Sequence, residues 1–358
     1  MSGNPAYLIL ENGEIFEGKS FGAHGDVTGE IVFTTGMTGY LETLTDQSYC
    51  GQIVLQTFPL IGNYGVIPED FESGSIGAKA YIVKYPCAAP SNFRSEGDLD
   101  SFLKERGIVG LYDIDTRSLT KIIRENGVMN GKITSSIPTE ADRKEAHKYT
   151  VVHPIAAVSS REIVKAEDAD NSKAERRIAL MDFGAKRGIQ NALLKRGCTV
   201  WTFPHDIIIE EIMKIEPNGI MLSNGPGDPA DSDNKKIVET LKALIKKDIP
   251  IFGICMGHQL LALANGYKTA KLKFGHRGAN QPVKDTRSGS VYITSQNHGY
   301  EVIAEDSSFI NVNDGSCEGL DYGNSFSVQF HPEARGGPLD TGFLFDLFME
   351  RIDNHAAK

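Results

Sequence analysis

Hydrophobic and polar positions follow two different rhythms along the chain. Up to about residue 150, short β-branched runs such as "EIVFTT", "GQIVLQTF" and "AYIVKYP" are punctuated by Gly and Pro, a pattern that predicts strands joined by turns. One segment there, "DTRSLTKIIRENG", sets Leu119, Ile122 and Ile123 at the i, i+3, i+4 spacing of a buried helical face, with Asn126-Gly127 as a C-terminal stop. The expectation for residues 1–155 is a β-rich α/β domain with a few helices.

The stretch "REIVKAEDADNSKAERR", residues 161–177, holds ten charged residues and no aromatic. A solvated linker is predicted over 156–177, although an exposed helix would carry the same pattern. Beyond it the rhythm becomes strand, helix, strand. "RIALMDF", "CTVWTF", "NGIMLS" and "IPIFGI" are strand-like, while "AKRGIQNALLKRG" and "DNKKIVETLKALIKK" are helical, the second with Ile237, Leu241 and Leu244 on one stripe. Such alternation over residues 178–358 predicts a mostly parallel, helix-covered sheet. Ligands bind such sheets beyond the carboxyl ends of the strands, so the loops after the strands are where chemistry is to be sought.

Length agrees with two domains, since 358 residues exceed what one core supports. The net charge is −10 and no segment gathers five or six basic residues, which argues against nucleic acid as a partner. The cysteines at 50, 87, 198, 255 and 317 are odd in number and form no Cys-x-x-Cys, arguing for a reducing compartment and against a disulfide framework or a structural zinc site. No metal ligand set is predicted. Neither a leader-like N-terminus nor a long apolar run is seen, so a soluble cytoplasmic protein without membrane partners is expected.

"FGICMGHQLLALANG", residues 252–266, places Cys255 between Gly253 and Gly257 where a strand gives way to a helix. That is the setting of a nucleophile elbow, in which glycines permit the sharp turn. A helix N-terminus favours thiolate over thiol, and the Met256 N–H is placed to donate into an oxyanion hole. The same triplet also suits an inert buried cysteine. A cysteine nucleophile needs a base and an orienting group. "FSVQFHPEA" offers His331 and Glu333, which as i and i+2 of an extended chain point to one side, with Pro332 suited to a strand end. His258 lies closer in sequence, but no carboxylate near it is placed to orient it.

Two further loops complete the picture. "LSNGPGDPA", residues 222–230, lets the backbone at Gly225 and Gly227 approach a ligand closely, and "SQNHGYEV" reads as a turn at a strand end. Asp182-Phe183-Gly184 spells a kinase triplet, yet without the accompanying kinase motifs it reads as a strand end and turn.

Together "GICMGHQLLALANG", "LSNGPGDPA", "SQNHGYEV" and "FHPEA", in that order, resemble the class I glutamine amidotransferases. "GEIVFTTGMTGYLETLTDQSY", "SNFR" and "DIDTRSLT" are similar to the N-terminal domain of the small, glutamine-hydrolysing chains of carbamoyl-phosphate synthetases. The resemblance implies that Cys255 attacks the glutamine side-chain amide, with His331 as acid and base and Glu333 orienting it. It implies oxyanion-hole N–H groups from Gly225 and Met256, and Ser48, Gly227, Gln259, Asn297, Gly299 and Tyr300 around the glutamine. Gln259 also lies one helical turn from Cys255. Met256 and Tyr300 stand where Leu and Phe are commoner, changes that keep apolar bulk. A large synthetase chain is the implied partner, docking on the first domain and using ATP, Mg and bicarbonate to make carbamoyl phosphate for pyrimidine or arginine synthesis. No cofactor is implied on this chain, which has no Walker-type loop. A cysteine peptidase or esterase, a catalytically silent subunit, and an amidotransferase serving guanylate, anthranilate or cytidylate synthesis remain as alternatives.

Overall fold

In the computed structural model, which describes residues 3–167 and 176–357, the chain separates into two units, Met1–Val152 and His153–Lys358. The β-branched runs of the first unit become β1 (Pro5–Leu10), β2 (Ile15–Gly22), β3 (Val27–Thr34), β4 (Gln52–Gln56), β6 (Ala80–Val83), β8 (Val109–Tyr112) and β9 (Met129–Thr134). They close into a barrel in the order β1-β2-β8-β6-β4-β3-β9, while β5 (Leu60–Ile61) and β7 (Tyr85–Pro86) pair apart from it. Closure pairs both edges that an open sheet would leave exposed. Helices α1 (Tyr40–Thr45), α2 (Leu99–Glu105), α3 (Thr116–Asn126) and α4 (Glu140–Lys148) accompany the barrel. Helix α3 starts where the Asp115 carboxylate accepts from the Ser118 N–H at 2.9 Å, and it stops at Gly127 with φ 97°. Leu119 and Ile123 are buried on its inner face and Ile122 is half-buried.

The second unit is a ten-stranded sheet in the order β10-β12-β11-β13-β14-β19-β18-β16-β15-β17. Its strands are β10 (Val164–Ala166), β11 (Arg176–Asp182), β12 (Cys198–Pro204), β13 (Gly219–Leu222), β14 (Ile251–Ile254), β15 (Lys268–Asp285), β16 (Val291–Ile303), β17 (Phe309–Asn311), β18 (Cys317–Asp321) and β19 (Phe326–Val328). The helices are α5 (Pro154–Val158), α6 (Arg187–Leu194), α7 (Ile209–Met213), α8 (Lys235–Ile245), α9 (Met256–Ala264) and α10 (Phe343–Ala356). The centre, β12-β11-β13-β14-β19, is parallel as predicted. Beyond β19 the sheet continues antiparallel through β18, β16, β15 and β17, an extension that strand-helix alternation did not announce.

Side chains alternate across each strand, and the two faces are covered separately. Ile178 and Leu180 of β11 join Ile189 and Leu193 of α6 and Phe345 and Phe348 of α10. Ala179 and Met181 face the other way, toward Leu241 and Leu244 of α8 and Leu260 and Leu261 of α9. Each fully buried Leu, Ile or Phe contributes roughly 1.5–3 kcal/mol of transfer free energy, so both faces hold the strand ends rigidly. No helix among the described residues is long and apolar enough to cross a membrane.

The stretch expected as a linker over 156–177 differs from that expectation where it is described. Residues 154–158 form α5, and Val164, Lys165 and Ala166 pair antiparallel with Thr202, Trp201 and Val200 as an edge strand. Its charge is that of an exposed edge: Lys165 lies 5.4 Å over the Trp201 ring. Arg176 and Arg177 open β11, and residues 168–175 lie outside the described residues.

Candidate active site

Strand β14 ends at Ile254 and α9 starts at Met256, leaving Cys255 to make the whole turn. It does so at φ 54° and ψ −105°, a conformation that costs a non-glycine residue on the order of 1–3 kcal/mol and persists only where packing enforces it. The enforcement is visible around it. A Cβ on Gly253 would stand 2.7 Å from the Gly257 carbonyl oxygen, and one on Gly257 would stand 2.4 Å from the Leu222 carbonyl oxygen. Only glycines let the strand, the turn and β13 approach this closely. The Cys255 N–H donates to the Val328 carbonyl at 2.9 Å, the Gly257 N–H to Ser223 at 3.0 Å, and the Gln259 N–H to the Cys255 carbonyl at 3.1 Å. The thiol is buried, 3.7 Å from the Asn297 carbonyl oxygen.

Past the end of β19 the chain delivers His331 and Glu333 to the same place, and the His331 N–H is fixed by the Ser295 carbonyl at 2.9 Å. Imidazole Nδ1 and Glu333 Oε1 are 2.6 Å apart, with both side chains enclosed. That contact leaves Nε2 as the edge of the ring open to the reaction; it is buried, with the Cys255 thiol as its neighbour. Burial and then the Lys186 ammonium push the His331 proton affinity down, but Glu333 and the neighbouring Cys255 thiol outweigh them and the net shift is upward. For Glu333, burial pushes the carboxyl up, yet His331 and Lys186 hold it below the ordinary range. A buried carboxylate with two cationic neighbours is thus kept charged, as an orienting group must be.

The other residues predicted to matter fall into three groups. Met256 opens α9 and is buried; the first N–H groups of a helix have no partner within it. Asn297, Gly299 and Tyr300 lie on β16, and Gln259 ties α9 to that strand by donating to the Tyr300 carbonyl at 2.8 Å and to Gln329 Oε1 at 2.9 Å. Gly225 lies in the loop after β13, where its backbone runs against Phe183, and Gly227 in the same loop lies against Pro154. Ser48 belongs to the first unit, in the short 3-10 turn Gln47–Tyr49, with its N–H on Asp46 Oδ1 at 2.9 Å.

One reading changes, and two residues without a role gain one. "SQNHGYEV" is not a turn; it is the middle of β16, with Asn297 opposite Arg277 and His298 opposite His276. Its polar residues suggested a loop, but Gln296, Asn297 and His298 are buried strand positions. Lys186 escaped notice inside the dismissed "DFGAK" segment. That segment is indeed a strand end and turn, and beyond it Lys186 reaches to 3.4 Å from His331 Nδ1 and 3.9 Å from Glu333 Oε1. Its place just past a parallel strand was the signal that could have found it. His258, unassigned from sequence, is a core residue: its Nδ1 lies 2.8 Å from Ser327 Oγ, and burial alone pushes its pKa down to about 3.

Comparison with known proteins covers both units. The family model described as "Carbamoyl-phosphate synthase small chain, CPSase domain" matches residues 8–133, and that described as "Glutamine amidotransferase class-I" matches residues 179–351. A carbamoyl phosphate synthase small chain from Fusobacterium nucleatum subsp. nucleatum is 49% identical over 360 residues, covering 97% of this chain and 98% of that protein. Those of Clostridium perfringens, 48% identical over 354 residues, and Bacillus caldolyticus, 48% identical over 356 residues, each cover 96% of this chain and 99% and 96% of their own lengths.

Proposed function

Because the chain belongs to the carbamoyl-phosphate synthase small chain family, we propose that it hydrolyses glutamine to glutamate and ammonia and hands the ammonia to a large synthetase chain. The observation that carries this reading is the buried Cys255 in its strained turn beside the enclosed His331–Glu333 pair, 2.6 Å apart.

The Cys255 thiol proton passes to His331 Nε2, and Sγ attacks the side-chain carbonyl carbon of glutamine. The new C–S bond pushes the carbonyl electrons onto oxygen, and the N–H groups of Met256 and Gly225 donate hydrogen bonds to that oxyanion. Collapse breaks the C–N bond, and His331 Nε2 gives its proton to the leaving nitrogen, releasing ammonia. Water then attacks the thioester, His331 takes one of its protons, and the C–S bond breaks to free glutamate as His331 returns that proton to the sulfur. Glu333 keeps the imidazole aligned throughout, and Lys186 helps hold Glu333 ionised. Ser48, Gly227, Gln259, Asn297, Gly299 and Tyr300 make up the rest of the proposed glutamine-binding set, with Gln259 acting through its hold on the Tyr300 backbone.

The large chain takes up ATP, Mg and bicarbonate and makes carbamoyl phosphate, in a heterodimer or a higher assembly of it, in the cytoplasm and without nucleic acid or membrane. The product feeds pyrimidine synthesis, arginine synthesis or both. Comparing wild type with Cys255→Ala in the assembled complex tests this. Glutamine-dependent synthesis should vanish while synthesis from added ammonia survives. Glutamine hydrolysis persisting in the variant would overturn the mechanism, and wild-type cleavage of peptide or ester bonds without release of ammonia from glutamine would favour a peptidase or esterase instead.

A further inference from the structure

The antiparallel extension holds a second enclosed cluster of ionisable groups that glutamine hydrolysis does not use. His276 from β15, His298 from β16 and Glu318 from β18 are all buried, and one ligand atom from each lies within 4.8 Å of the other two. The two histidines sit directly opposite each other in the β15–β16 register.

Each imidazole is held by a partner on its far nitrogen. His276 Nε2 lies 2.9 Å from Asp314 Oδ2, and His298 Nδ1 lies 2.8 Å from the Tyr300 carbonyl oxygen. A carbonyl oxygen only accepts, so the His298 proton resides on Nδ1 and a neutral ring presents a lone pair at Nε2. That lone pair lies 3.1 Å from the Gln296 side-chain amide. Glu318 is incompletely satisfied. Its Oε1 accepts from Asn311 Nδ2 at 2.9 Å, whereas Oε2 is buried without a hydrogen-bond partner. Buried carboxylate oxygens are normally paired or coordinated, so Glu318 Oε2 and the His298 Nε2 lone pair together suit a positive group, with His276 Nδ1 beside them at 3.5 Å from both Glu318 Oε1 and Asn311 Nδ2.

We propose that His276 Nδ1, His298 Nε2 and the Glu318 carboxylate bind one divalent transition-metal ion of the zinc type. Two imidazoles and one carboxylate suit such a borderline ion, whereas Ca²⁺ and Mg²⁺ favour all-oxygen sets. Metal-bound histidines donate their other N–H to a carboxylate or a backbone carbonyl, and Asp314 and Tyr300 stand in those two roles. His276 Nδ1 and Glu318 Oε1 are already 3.5 Å apart, close to the roughly 3.4 Å between ligands of a tetrahedral ion bound at ~2.1 Å. The Gln296 side-chain oxygen, on an amide 3.1 Å from His298 Nε2, is a neutral candidate for a fourth position.

The ion would clasp β15, β16 and β18 together. The Tyr300 carbonyl accepts from both His298 and Gln259, so the clasp would also fix the strand that carries Asn297 and Tyr300. Only this last consequence rests on the proposed function; metal binding does not.

The test uses the full chain, stripped with a chelator, dialysed, and titrated with Zn²⁺ alone, with bound metal counted after gel filtration. One zinc per chain is expected, along with a rise in Tm. Co²⁺ in its place should give the visible absorption of a four-coordinate site. Glu318→Gln should lose the equivalent, and Asp314→Asn, which alters only the orienting partner on a half-exposed position, should bind about 10- to 100-fold more weakly while remaining folded. Fewer than one zinc per chain at micromolar free metal, or wild-type affinity in Asp314→Asn and Glu318→Gln, would overturn the proposal. Glutaminase activity enters neither readout, so failure of the metal site and failure of the hydrolase reading are told apart.

Discussion

His258 and His331 lie in the same unit, 0% and 1% exposed, yet their surroundings push their proton affinities in opposite directions. His258 sits on α9 with a serine hydroxyl at Nδ1 and a buried Nε2 that makes no hydrogen bond, and burial drives its pKa down to about 3. His331 has Glu333 at the same nitrogen and Lys186 nearby, and its proton affinity rises despite burial. Enclosure alone makes a histidine a neutral structural residue; a charged partner makes it an acid and base. Distance along the chain from the nucleophile carries no such information, since His258 is the nearer of the two to Cys255 and the one without a carboxylate.

The comparison breaks first at His331. His331→Asn should lower glutamine hydrolysis by about 10²- to 10⁴-fold, the span attributed to a positioned proton-transfer group, with cooperative unfolding retained. A rate within a few fold of wild type would reassign the base. A smaller change isolates the carboxylate. Glu333→Gln keeps a hydrogen-bond acceptor but removes the charge, and roughly a 10-fold loss or more is expected. Because Glu333 raises the His331 proton affinity, the alkaline limb of kcat/KM should move to lower pH in this variant, and an unmoved limb would show that the carboxylate does not set it.

For His258 the pH effect falls on stability. Its folded pKa of about 3 lies below the unfolded value of about 6.5. Its contribution is therefore fully present above pH 6.5 and is lost progressively as pH falls toward 3. Linkage puts the loss at about 2 kcal/mol by pH 5, to be read from urea unfolding at pH 7 and pH 5. His258→Gln should flatten that dependence, and an unchanged slope would mean that His258 is not the group titrating. The smallest effect belongs to Ser327→Ala, which removes one buried hydrogen bond to His258 and should cost about 1 kcal/mol. The pH profile of hydrolysis should not move with it.

What the sequence disclosed divides along the same physical lines. Apolar periodicity found α8 and its stripe of Ile237, Leu241 and Leu244, and it found the buried face of α3, because burial of a helix face leaves a regular trace. The glycines around Cys255 point to local geometry that forces those residues, whereas His331 and Glu333 meet across a turn past β19, where the Ala334 N–H donates to the His331 carbonyl at 3.3 Å, and not as i and i+2 of an extended chain. β16 was illegible because its buried side chains, Gln296, Asn297 and His298, meet polar partners instead of an apolar core, and polarity then imitates a loop. Lys186 and the Ser327 partner of His258 lie far away in sequence, so no local pattern announces them. The edge strand at Val164–Ala166 was hidden by charge that an exposed edge also requires.

Covalent capture at Cys255 tests the central claim most directly. The full chain in complex with its large chain is mixed with isotopically labelled glutamine, quenched in acid during turnover, and digested for peptide mapping. The account predicts glutamyl label on the peptide containing Cys255, at up to one per chain, released by hydroxylamine as a thioester should be, and absent in Cys255→Ala. Label on another residue, or rapid hydrolysis of glutamine in the variant, would contradict it.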